Sequence, residues 1–143
     1  MRASGGAGGG IRVSERTRPS FRAERQTVLV VDDDVDFREL LVDHLAACGR
    51  TVRTAGNGAE ALAILSDPTA NVGVVLLDLR MPIMDGFELC ERLEALGRPV
   101  PIVVMTAEHE TRRVERFRWV VSVLYKPLDL FRLDKLIDAA ARV

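Results

Sequence analysis

Aromatic side chains and cysteines are scarce in this sequence of 143 residues. Phe, Tyr and Trp make up 5% of the residues, so aliphatic side chains must fill the core. The two cysteines, Cys48 and Cys90, have neither CxxC nor zinc-type spacing, and a small secreted domain would normally contain more of them. We therefore expect a cytoplasmic protein in which both thiols are small apolar fillers.

Long apolar runs are also missing. The longest, such as residues 72–77, are far shorter than the roughly 18 residues that a membrane-spanning helix needs, and the N-terminus lacks the apolar stretch of a signal peptide. With 48% hydrophobic and 29% charged residues, the composition is that of a globular domain and excludes a collagen, a coiled coil and a wholly disordered chain. We expect one domain with no membrane association.

The charge is unevenly distributed, although the net charge is only −1. Residues 1–26 contain six arginines and two glutamates, so this segment has a charge of +4 and the remainder has −5. Gly, Ser and Arg dominate the segment without sustained periodicity, and its glycine run does not match a phosphate-binding loop. We expect residues 1–26 to form a flexible tail and residues 27–143 to form the domain.

Short β-branched runs alternate with helical patterns after this tail, which is typical of an α/β domain with a parallel sheet. The predicted strands are 28–31, 51–54, 72–77, 101–105 and 120–125. The predicted helices are 37–48, 58–66, 87–96, 111–118 and one from about 129. The strands are almost continuously apolar, so helices should cover both faces of the sheet. The inward stripe of the first helix is predicted to contain Phe37, Leu40, Leu41, His44, Leu45 and Cys48.

Polar residues stand at the carboxyl ends of these strands, where an open parallel sheet binds its ligands. They are Asp32, Asp33 and Asp34 after the first strand, Asp78 after the third, Thr106 after the fourth and Lys126 after the fifth. Carboxylates about 4 Å apart repel by about 4 kcal/mol at an effective dielectric constant near 20, so a divalent cation is expected among them. All-oxygen ligation suits Mg²⁺ or Mn²⁺. Together with a hydroxyl and an ammonium, this set is suited to phosphoryl transfer.

A structural role is the alternative for part of the acidic run. Asp34 and Asp36 stand where the first helix begins, and carboxylates commonly cap the free N–H groups at such positions. We expect these two residues to cap the helix or to face solvent. The same reading is less satisfactory for Asp32, Asp33, Asp78 and Lys126, because separate strand ends would have to supply them by coincidence.

Four segments, VLVVDDD, LLDLRMPIMDGFEL, IVVMTA and LYKPL, are similar to the receiver domain of two-component response regulators, here of a stand-alone, single-domain type. The resemblance covers about residues 27–143. It implies a flavodoxin-like, doubly wound sheet of five parallel strands in the order 2-1-3-4-5, with five helices.

The same resemblance implies the roles of the polar residues. Asp78 is the expected phosphoacceptor, Thr106 the switch hydroxyl and Lys126 the phosphate-pairing lysine, with a cis peptide bond before Pro127. The expected ligands of Mg²⁺ or Mn²⁺ are Asp32, Asp33, Asp78 and the backbone carbonyl of Arg80. In the turn that follows, Gly86 is expected to be free to adopt a positive φ.

The resemblance also implies a phosphoryl donor, either a sensor histidine kinase or a histidine phosphotransfer protein. The expected result is a changed affinity for an unidentified downstream protein. The chain stops where the last helix ends, so no DNA-binding output is expected, and we expect a monomer or weak dimer. We expect no enzymatic activity beyond the chain's own aspartyl phosphorylation and dephosphorylation.

Two other classes of function fit these residues less well. A hydrolase of the aspartyl-phosphate type would need a second acid two residues after the nucleophile, and Arg80 occupies that position. A scaffold that works without phosphorylation would be expected to have lost the acceptor, the lysine or one of the paired acids, and all of them are present.

The sequence departs from the family near its fifth strand. Receivers usually have a Gly-Ala stretch before this strand and an aromatic residue three positions before the lysine, where this chain has residues 118–121 and Val123. A valine is too short and stiff to swing between two positions. We therefore expect signalling through the segment 106–119, with Arg112, Arg116 and Trp119 as the partner surface.

Overall fold

A computed structural model of the chain describes residues 26–107 and 111–141, so most of the predicted tail lies outside the described residues. Five strands form the sheet. They are β1 (Thr27–Val31), β2 (Thr51–Ala55), β3 (Val72–Asp78), β4 (Ile102–Thr106) and β5 (Val120–Tyr125). Their bounds differ from the predicted ones by one residue or less, because each apolar run is bounded by polar or turn residues.

Four helices and a 3₁₀ turn lie between the described strands, and a fifth helix follows the last of them. The helices are α1 (Val35–Ala47), α2 (Gly58–Leu65), α3 (Gly86–Ala95), α4 (Thr111–Val114) and α5 (Leu130–Ala141), and the 3₁₀ turn is Pro68–Ala70. The fourth helix is a single turn and ends well before residue 118, where the sequence predicted its end. Only Val114 and Phe117 bring buried apolar side chains to this segment, which is too few to anchor a longer helix.

The strands are parallel and lie in the order β2-β1-β3-β4-β5, as the resemblance implies. Val31 at the end of β1 is paired with Leu77 of β3, and Asp78 is paired with Met105 of β4. The carboxyl ends of these three central strands therefore lie side by side, and their last residues share one edge of the sheet.

Two apolar clusters occupy the two faces of the sheet. Side chains from α2, α3 and α4 pack on one face, and side chains from α1 and α5 pack on the other. Successive residues of β1 alternate between them, with Leu29 in the first cluster and Val30 in the second. No helix within 26–107 or 111–141 is long and apolar enough to cross a membrane.

The inward face of α1 is narrower than predicted. Leu41 and Leu45 are fully buried, whereas Leu40 is 54% exposed and Cys48 is also exposed. The prediction that Cys48 fills the core is therefore wrong, although it holds for the buried Cys90. Cys48 is the residue at the C-cap, where the helix is ending.

Candidate functional site

Three carboxylates converge at the carboxyl edge of the sheet. Asp32 directly follows β1 and is fully buried, Asp78 ends β3 and is also buried, and Asp33 is exposed. One oxygen atom from each of them lies within 4.8 Å of the others. The predicted cluster is thus formed, because the pairing of β1 with β3 places these strand ends next to each other.

Lys126 brings an ammonium group to this cluster from the end of β5. Its Nζ is 2.8 Å from Oδ2 of Asp32 and 3.7 Å from Oδ1 of Asp78. The Nζ atom also lies 4.3 Å from the centre of the Phe37 ring, so the first turn of α1 flanks it. The backbone N–H of Lys126 donates to the carbonyl of Thr106 at 3.0 Å, which ties the lysine to the end of β4.

One ammonium does not compensate three carboxylates. The pKa of Asp78 is raised from its ordinary value of 3.8 to about 6, first by burial and then by the negative charge of Asp32. Asp33 raises this pKa further, whereas Lys126 and the backbone N–H of Arg80 lower it. The net effect is a higher pKa of Asp78, so burial and the repulsion from the other carboxylates outweigh the attraction of Lys126.

Backbone and side-chain contacts fix the position of Asp32. Its Oδ1 accepts a hydrogen bond from the backbone N–H of Asp34 at 2.9 Å, and its carbonyl accepts from Nη1 of Arg38 at 2.7 Å. Asp34 itself caps α1, with its Oδ1 accepting from the N–H of Phe37 at 3.1 Å. The capping role predicted for Asp34 is confirmed. The sequence alone does not predict the contribution of Arg38, because a basic residue on a helix is ordinarily solvated.

Thr106 is the last residue of β4 and is almost completely buried. It is one residue beyond Met105, the partner of Asp78 in the sheet register, and is itself paired with Tyr125. The structure therefore places this hydroxyl-bearing residue at the same edge as the carboxylates. The cis peptide bond expected between Lys126 and Pro127 is confirmed.

The turn after β3 is built differently from the prediction. Gly86 does not have a positive φ, but a Cβ atom at this position would lie 2.6 Å from the carbonyl oxygen of Asp78. Glycine is required there for close approach rather than for backbone freedom. The left-handed residue of the turn is Ile83, with a φ of 72° and an exposed fraction of 82%.

The partner surface predicted around α4 is only partly described, because the side chain of Arg112 lies outside the described residues. Arg116 lies over the ring of Phe117, with its guanidinium carbon 4.7 Å from the ring centre, and its Nη2 is 3.5 Å from Oε2 of Glu91. Trp119 and Val123 pack partly buried against the core. The predicted role of this surface in signalling stays a prediction.

The sequence of this chain is similar to those of proteins that contain one type of domain. The sequence profile described as response regulator receiver domain matches residues 28–138. Sensor histidine kinase RcsC of Salmonella typhi is 38% identical over 118 residues, which are 80% of this chain and 12% of that protein. DNA-binding transcriptional regulator NtrC of Escherichia coli K12 is 35% identical over 119 residues, which are 82% of this chain and 25% of that protein.

Solved structures show the same fold. Chemotaxis protein CheY4 of Vibrio cholerae superposes with a TM-score of 0.72 at 28% identity, covering 80% of this chain and 98% of that one. A chain from the co-crystal structure of the Saccharomyces cerevisiae phosphotransfer protein Ypd1 with the receiver domain of Ssk1 gives a TM-score of 0.71 at 25% identity, covering 78% and 86%. This chain therefore spans nearly all of these structures, but only about an eighth to a quarter of the two curated relatives described above.

Proposed function

The chain belongs to the response regulator receiver domain family, and we propose on that basis that it accepts a phosphoryl group on Asp78 from a histidine kinase or a histidine phosphotransfer protein. One observation carries the proposal. Asp78 lies in a group of three carboxylates within 4.8 Å of one another, with the ammonium of Lys126 beside it. Phosphorylation then changes the affinity of the chain for a downstream protein.

The donor set suits a hard divalent cation. It contains only oxygen ligands, and burial together with the negative charge of Asp32 raises the pKa of Asp78 to about 6, which supports a need for further positive charge beside the carboxylates. Asp32, Asp33, Asp78 and the backbone carbonyl of Arg80 would hold Mg²⁺ or Mn²⁺. When bound, such an ion neutralises carboxylate and phosphoryl charge.

The chain's own residues supply the remaining chemistry. A carboxylate oxygen of Asp78 attacks the phosphorus, a P–O bond forms, and the P–N bond to the donor's imidazole breaks. The imidazole nitrogen retains the electron pair and takes a proton from solvent. Lys126 pairs with the charge that accumulates on the phosphoryl oxygens, and the hydroxyl of Thr106 donates a hydrogen bond to one of them. The chain thus acts only on its own aspartate.

An apolar groove next to Lys126 is the proposed docking site for the donor. It has a volume of about 460 Å³ and is lined by Phe37, Leu40, Lys126, Pro127, Leu128 and Leu130. Leu40 is exposed and Phe37 is half-buried, and apolar side chains open to solvent beside a reactive group are characteristic of protein contact surfaces. In support, a relative of known structure has been solved with a histidine phosphotransfer protein.

Phosphorylation by a small donor tests the acceptor. The purified protein is incubated with acetyl phosphate and Mg²⁺, and its intact mass is measured. We expect a gain of one phosphoryl group that is absent in Asp78→Asn and absent in EDTA. Asp36→Asn, a matched exchange at an exposed position outside the acid cluster, should retain the gain. Undiminished labelling of Asp78→Asn would contradict the proposal.

A second experiment tests the docking groove separately. Leu40→Glu should slow transfer from a phosphorylated histidine phosphotransfer protein while leaving the rate with acetyl phosphate unchanged, because the small donor needs no docking surface. Leu96→Glu places the same charge at another exposed leucine, which is 63% exposed and outside the groove, and serves as the control. Equal effects of the two variants on protein-mediated transfer would refute the role of the groove.

The cellular location is part of the same proposal. Cys48 and Cys90 are both free, and Cys48 is exposed. An exposed thiol that remains unpaired is typical of a reducing compartment, which supports the cytoplasm.

A further inference from the structure

A second group of potential metal ligands lies between α1 and α5. His44 is in the last turn of α1, Cys48 follows one turn later at the C-cap, and Asp134 is on α5. Nε2 of His44 is 3.0 Å from both carboxylate oxygens of Asp134. One ligand atom from each of the three residues, including the sulfur of Cys48, lies within 4.8 Å of the others.

We propose that His44, Cys48 and Asp134 bind a borderline-soft divalent transition metal ion, with Zn²⁺ the best match. Imidazole nitrogen, thiolate sulfur and carboxylate oxygen are the three ligand types that Zn²⁺ takes from proteins. The hard ion expected at the acid cluster prefers oxygen ligands and binds thiolates poorly. The two sites therefore select different metals, and this proposal is independent of the proposed phosphoryl transfer.

The geometry is close to what such an ion requires. Metal–ligand bonds of about 2.0–2.3 Å in a tetrahedral arrangement place ligand atoms roughly 3.3–3.8 Å apart. The nitrogen and oxygens, at 3.0 Å, need to separate slightly, and the sulfur needs to move inward by at most about 1.5 Å. Residues four apart on a helix face the same side, and Cys48 is exposed at the end of α1, so its thiol is accessible to an ion from solvent.

Binding replaces one set of contacts with another. His44 and Asp134 exchange their direct contact for bonds to the ion, and the thiol of Cys48 binds as the thiolate, with its proton passing to solvent. Three protein ligands leave one position for water. Cys90 cannot serve instead, because it is buried and desolvation raises the pKa of its thiol to about 12.

A simpler role would explain only part of the cluster. The His44–Asp134 pair connects α1 to α5, and Arg50, in the loop after α1, forms its own ion pair with Asp138 of α5. Such a connection requires the histidine and the aspartate but gives no role to the sulfur beside them. The placement of all three ligand types together is what distinguishes a metal site from an ion pair.

The proposed metal site also lies next to the docking groove, and the effect of a bound ion on that groove rests on the proposed function. His44 and Asp134 each follow by four residues a leucine that lines the groove, Leu40 in α1 and Leu130 in α5. A bound ion would therefore fix the separation of the two helices one turn away from the surface to which the phosphoryl donor docks.

Cobalt substitution tests the site directly. The reduced full-length protein is titrated with Co²⁺ in excess Mg²⁺, and the absorption spectrum is recorded. We expect a sulfur-to-cobalt charge-transfer band, which an ion at the all-oxygen acid cluster cannot produce, and Zn²⁺ should abolish it by displacement. The band should be lost in Cys48→Ser. His44→Gln and Asp134→Asn should each weaken Co²⁺ binding by tenfold or more. Mutating a residue that only hydrogen-bonds to a metal ligand typically lowers metal affinity by about 10- to 100-fold, and these two variants change the ligands themselves.

Asp138→Asn is the matched control, because it makes the same exchange one turn further along α5 and should leave the band intact. Circular dichroism of each variant verifies that it is folded. Absence of the charge-transfer band in the wild-type protein, or its persistence in Cys48→Ser, would overturn the proposal and leave His44 and Asp134 as an ion pair only.

Discussion

Replacing Asp78 with asparagine is expected to stabilise the metal-free protein at neutral and alkaline pH. Burial and the charge of Asp32 raise the pKa of Asp78 to about 6 in the folded protein, whereas the carboxyl ionises near its ordinary value of 3.8 in the unfolded chain. Above pH 6 the folded state must therefore hold a carboxylate in an unfavourable environment. Asparagine has nearly the same shape and removes the charge.

The direction of the pH dependence follows from the higher pKa of the folded state. Below about pH 3.8 the carboxyl is protonated in both states, so the substitution should have little effect. The free energy of unfolding of the wild-type protein falls as the pH rises through about 6, because Asp78 then becomes charged in the folded state. The variant has no carboxyl at this position and does not show this fall. A difference of about two pKa units corresponds to about 3 kcal/mol. We expect Asp78→Asn to raise the free energy of unfolding by about 2–3 kcal/mol on the alkaline side.

Urea unfolding followed by circular dichroism measures this difference. Both proteins are unfolded in a chelating buffer at several pH values, and the free energies are obtained by linear extrapolation at unchanged slope. Asp36→Asn is the control, because this exposed residue of the first turn of α1 should show no gain and a loss of at most about 1 kcal/mol. Adding Mg²⁺ should stabilise the wild-type protein more than Asp78→Asn. The reasoning is refuted if Asp78→Asn gains nothing on the alkaline side, or gains as much at low pH.

Other substitutions test the local geometry. Gly86→Ala should destabilise the protein by about 1–3 kcal/mol in thermal or urea unfolding, because its Cβ would lie 2.6 Å from the carbonyl oxygen of Asp78. Ile83→Asn should raise the free energy of unfolding by roughly 0.5–1 kcal/mol. Asparagine tolerates the left-handed backbone of this position, which costs a β-branched residue about 1–2 kcal/mol. An unchanged free energy of unfolding would argue against backbone strain at Ile83. In metal-free native protein a thiol reagent should modify Cys48 and spare the buried Cys90, whereas both should react in urea.

The strands and the acid cluster could be predicted from the sequence because both depend on local patterns. Apolar β-branched runs define the strands, and the polar residue at each strand end is brought to one edge by any parallel sheet. The order of the strands came from the family resemblance, since the pattern of one sequence does not specify which strands are neighbours. Asp32 and Asp78 are close together because that order makes β1 and β3 neighbours, and Lys126 reaches both of them from the end of the edge strand β5.

Features that depend on tertiary contacts could not be predicted in the same way. The pairing of His44 with Asp134 joins residues 90 positions apart and depends on how α1 and α5 are rotated about their axes. Leu40 fits the apolar stripe of α1 by spacing, yet α5 and the sheet leave it exposed. The role of Gly86 depends on how closely α3 approaches the end of β3, which no local pattern reports.

The pairing of Lys126 with Asp32 has a consequence for the order in which the protein acquires its chemistry. The two residues are 94 positions apart, and Lys126 directly follows β5, which is the last of the described strands and lies at the edge of the sheet. During synthesis all three carboxylates are made well before the residue that partly neutralises them, and the cluster lacks its ammonium until the edge strand has joined its neighbour. A nicked or incomplete chain without that strand would keep the acids and lose their counter-charge. If the proposed function is correct, only molecules in which β5 has joined the sheet would be able to accept a phosphoryl group on Asp78.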